Sequence, residues 1–369
     1  MPKILRRDGS GACQGLTPAG GGVRRPARRR AAAFVLVLIA AAFLGFVATE
    51  IIAGGVRLLS WETRRSGHDE LRREAFSALE STLGVLAVFA RTDGALHGPA
   101  QGWGDPLVFS SHVAAGGVGL TVTLRDESGL YGLNALAADT AAMRRFLSDV
   151  GIGESEAARL ADCLADWTDA GDVPRANGAE RDRYPEGVAP PNRPLRSLGE
   201  LRDVLGFREV FFNEDGSGND LWRRFSAAVS LLSESTRPNV NTAPRAVLEI
   251  LAARHGFSPD AILQGRGDGE DSGDVVSTLS AGGAVPGRAA ASGVVYRNAS
   301  DLSRAGVPPA LGAEVSFQCA RLRILVRASR ADAVVVLDTL LEMSTGAAGG
   351  AAQFPFTILQ QRVDARLKD

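Results

Sequence analysis

The sequence predicts an α+β chain with a single-pass membrane anchor: a long N-terminal helix, a small antiparallel sheet drawn from both flanks of the body, and a large helical insertion between those flanks. Three observations predict it. Residues 31–49, AAAFVLVLIAAAFLGFVAT, carry no charged side chain. A helical apolar pattern continues beyond them to about residue 91. Strand-like alternation occurs at 118–124 and again after 320, and helical patterns dominate from about 135 to 265 between them.

The anchor follows from length and flanks. Nineteen charge-free residues, at about 1.5 Å each, nearly span a hydrocarbon core of ~30 Å. Residues 1–30 carry eight basic side chains against Asp8, a local +7 that leaves −8 on the rest of a chain totalling −1. Five of the seven residues at 24–30 are Arg. Basic flanks stay cytoplasmic, which places the body on the far side of the membrane. A cleaved secretory signal is the competing reading, with Ala48 and Ala53 as small residues for a cleavage site.

Past the anchor, Leu71, Ala75, Ala78, Leu79, Thr82 and Leu86 recur at steps of three and four, an apolar stripe opposite Arg72, Arg73 and Glu74. Residues 118–124 (VGLTVTL) alternate as a half-buried strand before the turn-rich 125–129. Residues 321–327 (RLRILVR) and 333–342 (AVVVLDTLLE) read as a hairpin across a connection at 328–332, and 354–361 as a last strand after the Gly/Ala linker 346–352. Residues 264–293, rich in Gly, Asp, Ser and Ala, read as a flexible loop.

Composition excludes several chemistries. The only lysines are Lys3 and Lys368, so a P-loop and a Schiff-base lysine both drop out. The acidic body argues against broad phosphate-backbone binding. Cys163 and Cys319 either pair after export or stay as separate buried thiols. The four histidines, His68, His97, His112 and His255, form no His-Glu-x-x-His spacing, and no Gly-x-Ser-x-Gly elbow occurs. Nothing in the residues supports catalysis. Arg266-Gly267-Asp268 spells an adhesion tripeptide for which chance suffices.

Two features remain. Residues 133–136 (LNAL) and 240–243 (VNTA) each open a helix, an Asn offering a cap, and each is followed by a Gly turn and a second helix, as in helix-hairpin-helix motifs. Glu154 and Glu156 beside the first turn would repel phosphate, and Gly151 alone accounts for a helix end. Second, Asp162, Asp166, Asp169 and Asp172 fall at spacings of four, three and three, and Glu180 and Asp182 follow the Asn177–Gly178 turn. Hard cations such as Ca²⁺ want six to eight oxygens from a flexible loop; a solvated acidic surface explains the same composition. The acid-rich turn at 213–220 (NEDGSGND) reads as a capped turn.

A series of strings in one order carries a resemblance: GLYGLN at 129–134, Asp166-Trp167-Thr168-Asp169, Asn177-Gly178-Ala179-Glu180 with Tyr184, Pro190-Pro191-Asn192-Arg193-Pro194-Leu195, Glu200-Leu201 and Asn239-Val240-Asn241-Thr242-Ala243-Pro244. The chain resembles the general secretion pathway protein K family, the large minor pseudopilin of the type II secretion system. The likeness covers about residues 30–345. It implies a pilin-like fold with a large inserted α-helical domain, held in the inner membrane with the C-terminal body periplasmic. It implies a structural role at the pseudopilus tip in export of folded proteins, with minor pseudopilins of the I and J types, the prepilin peptidase, the inner-membrane secretion platform and the lipid bilayer as partners and no nucleic acid.

The resemblance also implies Ca²⁺, with Asp169, Asp172 and Glu180 as ligands and Asp166 as a fourth; Gly171 stands where the family often has a further acid. It implies peptidase cleavage between Ala33 and Phe34 with methylation of Phe34. This chain has Ala33 where the peptidase usually requires Gly, and Leu38 at the fifth mature position where major pilins carry Glu. The expected division is a basic leader (1–33), the transmembrane half of the helix (34–53), its periplasmic part with the first strand (54–125), the inserted helical domain with two hairpin-like repeats (126–290) and the C-terminal strands (291–369). The alternatives are a membrane-anchored helix-hairpin-helix protein capturing DNA for uptake and, behind it, a metal-dependent hydrolase on the acid cluster.

Overall fold

The computed structural model describes residues 27–267, 274–280, 283–284, 293–331, 333–344 and 354–367. The basic leader up to residue 26 and the 346–352 linker lie outside them. The chain divides into two units between Arg65 and Ser66.

Helix α1 is continuous over Ala27–Asp93. Before the division, its segment Phe34–Gly55 has a mean hydropathy of 2.5 with none of it buried. At ~1.5 Å per residue those 22 residues are long enough to cross a hydrocarbon core of ~30 Å. After the division, the stripe read from the sequence is the buried one: Leu71, Ala75, Ala78, Leu79, Thr82 and Leu86 are all 2% exposed or less. Thr82 fits among apolar neighbours because its hydroxyl donates to the Ala78 carbonyl at 2.8 Å, leaving no unpaired polar group.

That stripe packs on a six-stranded antiparallel sheet. In chain order the body contains α2 (Pro106–Phe109), β1 (Gly119–Asp126), β2 (Tyr131–Gly132), α3 (Leu133–Ala138), α4 (Thr140–Val150), α5 (Glu154–Thr168), α6 (Phe207–Phe211), α7 (Asp220–Ala228), β3 (Val229–Ser230), α8 (Arg245–His255), α9 (Pro259–Arg266), β4 (Asp274–Ser280), β5 (Gly283–Ala284), α10 (Ala299–Arg304), β6 (Arg321–Arg330), β7 (Ala333–Met343) and β8 (Phe356–Leu367). The sheet order is β5-β4-β1-β6-β7-β8, and β2 pairs with β3 separately. Leu120, Val122 and Leu124 of β1, Leu322, Ile324 and Val326 of β6, and Val335, Leu337 and Leu341 of β7 share one core with the α1 stripe. Period-two burial in each strand places these side chains on the face that α1 covers.

The helical unit has its own core around Phe146, Leu160, Phe207, Phe211, Phe225 and Leu248. Phe211 and Phe225 lie 4.9 Å apart, and Tyr131 and Phe146 the same distance, in tilted pairs. These separations fall in the favourable range for aromatic contacts.

Several expectations change. Residues 274–280, read as loop, form β4, whose register against β1 runs Leu120↔Leu279 to Arg125↔Asp274. Its composition hides a strand that the β1 ladder stabilises from outside. Tyr296, Leu302, Val307, Leu311 and Val315 belong to the helical core, so that unit extends past the expected boundary at 290. The β6–β7 connection is tighter than 328–332, because the strands reach Arg330 and resume at Ala333. Ala331 takes φ 47° there; Asp332 is outside the described residues. β8 runs Phe356–Leu367, later than expected.

Candidate functional site

The acid loop begins where α5 ends. Asp166 lies in the last turn of α5 and is fully buried, and Asp169 is the C-cap residue. The loop that follows folds back over Asp166. The Arg175 amide donates to Asp166 Oδ2 at 3.1 Å, and Arg175 Nη1 donates to Asp166 Oδ1 at 2.6 Å and Asp169 Oδ2 at 2.5 Å. The Asn177 amide and side chain both donate to Asp162 Oδ2, at 3.2 and 3.0 Å. Gly178 is required by the closeness of this wrap, since a Cβ there would sit 1.8 Å from Asp166 Oδ2. Trp167 and Tyr184 close the apolar side with ring centroids 5.3 Å apart.

Of the sequence-predicted ligands, Asp172 accepts from Asn192 Nδ2 at 3.2 Å, and Glu180 is 6% exposed with Oε1 lacking any hydrogen-bond partner. Burial pushes the Glu180 carboxyl up, and the negative charges of Asp166, Asp169 and Asp172 push it further, opposed by Arg175. The donor chemistry is that of a hard-cation site, oxygen-only and with one buried carboxylate oxygen unsatisfied. Among the described residues, however, no three His, Cys, Asp or Glu side chains converge as a metal cage. The cation present between Asp166 and Asp169 is the Arg175 guanidinium.

The Asn-Val-Asn-Thr-Ala-Pro string does something that local reading missed. Neither Asn caps a helix: Gly132 precedes α3, with Asn134 inside it, and Pro244 precedes α8. Asn134 instead makes a two-way pair with the Leu195 backbone, donating at 3.1 Å and accepting at 2.8 Å. Asn239 Nδ2 donates to Asp126 Oδ2 at 2.8 Å and to the His97 carbonyl at 2.7 Å. Thr242 Oγ1 donates to the same Asp126 oxygen at 2.6 Å, while the Ser128 amide and hydroxyl donate to Asp126 Oδ1. Asn241 pairs with the Tyr296 backbone in both directions, 2.8 Å each. This seam joins the end of β1, the helical unit and the segment returning to β6. Close approach also explains Gly129, whose Cβ would meet Thr242 O at 2.8 Å.

The remaining candidates resolve as follows. Gly151 (φ 111°) and Gly256 (φ 69°) are helix C-caps, and Arg254 beside Gly256 is engaged with Asp149 and Glu314. Arg266 of the adhesion-like tripeptide is 4% exposed and donates to the Val240 and Ala243 carbonyls. Asp215 accepts from the Ser217 amide in a local turn, and Asn219 caps α7. Cys163 and Cys319 are free, buried thiols, one in each core. Phe34 is exposed on α1, and the Ala33–Phe34 bond lies within that helix.

Comparison with known proteins points the same way. Residues 124–214 match the family model described as type II secretion system (T2SS), protein K. A curated type II secretion system protein K from Pseudomonas aeruginosa is 32% identical over 162 residues, 40% of this chain and 44% of that protein. The matched region thus spans less than half the length of that relative. The crystal structure of the GspK-GspI-GspJ complex from enterotoxigenic Escherichia coli contains a similar chain, with a TM-score of 0.50 at 16% identity, covering 82% of this chain and 98% of that one. At that identity the likeness is one of fold. The DNA-capture alternative draws no support from these matches.

Proposed function

We propose that this chain, whose residues 124–214 match the type II secretion system protein K family model, is a minor pseudopilin of that family that forms the tip of a pseudopilus and helps initiate its assembly. The observation that carries this reading is a helical unit, family-matching over residues 124–214, set into a helix-on-sheet fold whose α1 contains the apolar 22-residue segment Phe34–Gly55. In a filament of such subunits, Phe34–Gly55 lies in the inner membrane and packs on neighbouring helices through van der Waals contact. The Arg-rich leader stays cytoplasmic and the body periplasmic.

Its partners are the I- and J-type minor pseudopilins, as in the E. coli complex, with the prepilin peptidase and the inner-membrane secretion platform acting on it. Leu38 at the fifth position after Ala33 supplies no carboxylate to neutralise the amine of a subunit above, which suits a terminal position. The role is scaffolding, without a reaction at this chain.

Asp166, Asp169, Asp172 and Glu180 are the residues that would hold Ca²⁺. A bound ion would supply charge neutralisation that tethers the 170–180 loop to α5. The Asn192 side chain steadies that loop by donating to the Gly171 carbonyl at 3.0 Å.

The test is the intact mass of the membrane-extracted chain, with and without co-expressed cognate prepilin peptidase. Loss of residues 1–33 with one methyl group on Phe34 is expected. An uncut chain beside an active peptidase refutes the processed pseudopilin. Retention of processed I and J partners through purification is the second expected result.

A further inference from the structure

The sheet ends on an open edge. β8 stands last in the strand order, beside β7, and among the described residues no strand pairs with its outer side. A strand in that place presents a row of unpaired backbone N–H and C=O groups. Its side chains add an apolar strip. Phe356, Ile358 and Val363 stand opposite Met343, Leu341 and Leu337, which share the core with the α1 stripe. The core face thus runs on into β8, where its cover thins: Ile358 is 46% exposed, Leu359 42% and Val363 41%. Phe354, also exposed, extends the strip, its ring 5.7 Å from that of Phe356.

On the opposite face the charges are unequal in two places. Arg321, Glu342 and Thr357 form one rung across β6, β7 and β8. Arg321 Nη2 is shared between Glu342 Oε1, at 3.5 Å, and Glu234 Oε1 of the helical unit, so two carboxylates meet one guanidinium. Both acids line a cavity of about 350 Å³ that reaches Thr357 at the edge. Farther along, Asp338 stands opposite Arg362 but is held by Arg323 through bonds of 3.0 and 2.7 Å. There two guanidinium groups meet one carboxylate. A strand laid beside β8 lies about 4.8 Å away. An Arg or Lys opposite Thr357 can extend across it towards Glu342, and an Asp or Glu opposite Arg362 faces that guanidinium directly. Opposite charges across such a pair favour the register and like charges oppose it. A second β8 does not supply both. Antiparallel registers that bring position 362 or 366 opposite Thr357 leave Thr357 or Gln361, not an acid, opposite Arg362.

We propose that the β8 edge docks a strand from an I- or J-type minor pseudopilin, extending the six-stranded sheet. The incoming strand carries apolar side chains on the face of Ile358 and Val363, a basic residue opposite Thr357 and an acidic one opposite Arg362. This rests on reading the chain as a minor pseudopilin, whose neighbours in the filament are those subunits. Main-chain hydrogen bonds supply affinity and the two charges set the register.

The experiment is hydrogen–deuterium exchange of the detergent-solubilised full chain, alone and with co-expressed, processed I and J partners. The β8 amides are expected to exchange about tenfold or more slowly in the complex than in the chain alone. Two variants test the side chains by the amount of I and J retained through purification. Leu359→Lys sets a charge on the exposed edge without emptying the core, and Arg362→Glu reverses the charge that the partner acid meets. Each is expected to retain about tenfold less partner than the parent while melting near it; Asp215→Ala, in a distant turn, should retain as much as the parent. The exchange measurement on the parent depends on neither variant folding.

Retained partners with β8 amides exchanging as fast as in the chain alone overturn the β8 assignment and leave the pseudopilin reading standing. So does undiminished retention by both variants. Protection of β8 that appears without partners and grows with chain concentration means that a second copy fills the edge, and also overturns the assignment. A parent chain that retains neither processed partner overturns the assignment together with the partner reading beneath it.

Discussion

Replacing Asn239 with Ala should cost far more than its single side chain suggests. Asn239 is fully buried, and its Nδ2 supplies one donor to Asp126 Oδ2 at 2.8 Å and one to the His97 carbonyl at 2.7 Å. Its Oδ1 accepts from the Asn241 amide at 3.1 Å and side chain at 3.3 Å. Truncation therefore strips one donor from a buried carboxylate, leaves the buried His97 carbonyl with only the weak Cys319 thiol donor at 3.3 Å, and removes part of Asn241's pairing. A hydrogen bond to a charged group is worth about 1.5–3 kcal/mol and an unsatisfied buried group costs about 1–3 kcal/mol. Allowing for overlap, the expected loss is about 3–5 kcal/mol, or a Tm lower by about 6–12 °C in a chain of this size.

The assay is urea denaturation of the full chain in detergent, followed by tryptophan fluorescence. Trp103 reports from the sheet core and Trp167 from the helical core. Asn219→Ala, which removes the cap on α7 and one part-buried bond to the Val210 carbonyl, is the control and should cost about 1–2 kcal/mol. If Asn239→Ala falls within 1 kcal/mol of the parent, roughly the worth of one ordinary hydrogen bond, the seam is not a structural joint and the reasoning fails.

Two further outcomes follow from the same packing. Leu86→Ala, which empties a fully buried position beneath the sheet, should destabilise by about 2–5 kcal/mol in the same denaturation assay, with a smaller cost indicating that α1 does not rest on the sheet through this stripe. Burial holds the Asp126 carboxyl above its usual range against the pull of Ser128, Thr242 and Asn239, so the folded state binds that proton more tightly than the unfolded chain. The contribution of Asp126 is then whole below about pH 4 and declines as pH rises through its folded-state pKa. Asp126→Asn has no such decline, and its stability relative to the parent should rise with pH across that window; a flat or falling difference, read from denaturation midpoints at a series of pH values, contradicts the assignment.

The sequence by itself determined what depends on neighbours along the chain. A charge-free run of apolar residues needs no partner to be recognised as membrane-spanning, and steps of three and four place Leu71 through Leu86 on one side of any helix. Strands β1, β6 and β7 announced themselves by alternation, and the acids of the 166–180 loop by their spacing. Tertiary structure decided what depends on residues far away. β4 is a strand because the β1 ladder pairs with it, and its Gly- and Ser-rich surroundings conceal that. Asn134 and Asn241 looked like helix caps, yet their amides satisfy backbone groups 61 and 55 positions away, on Leu195 and Tyr296.

In the acid loop, spacing brought out the carboxylates but not the charge among them. The reading of Asp166 and Asp169 as free donors left out Arg175, whose backbone had first to fold back over α5 before its side chain could reach both. A local pattern specifies which face a side chain takes, because backbone geometry alone sets it. Which buried charge is neutralised by which partner is settled only when the chain closes on itself and water is excluded.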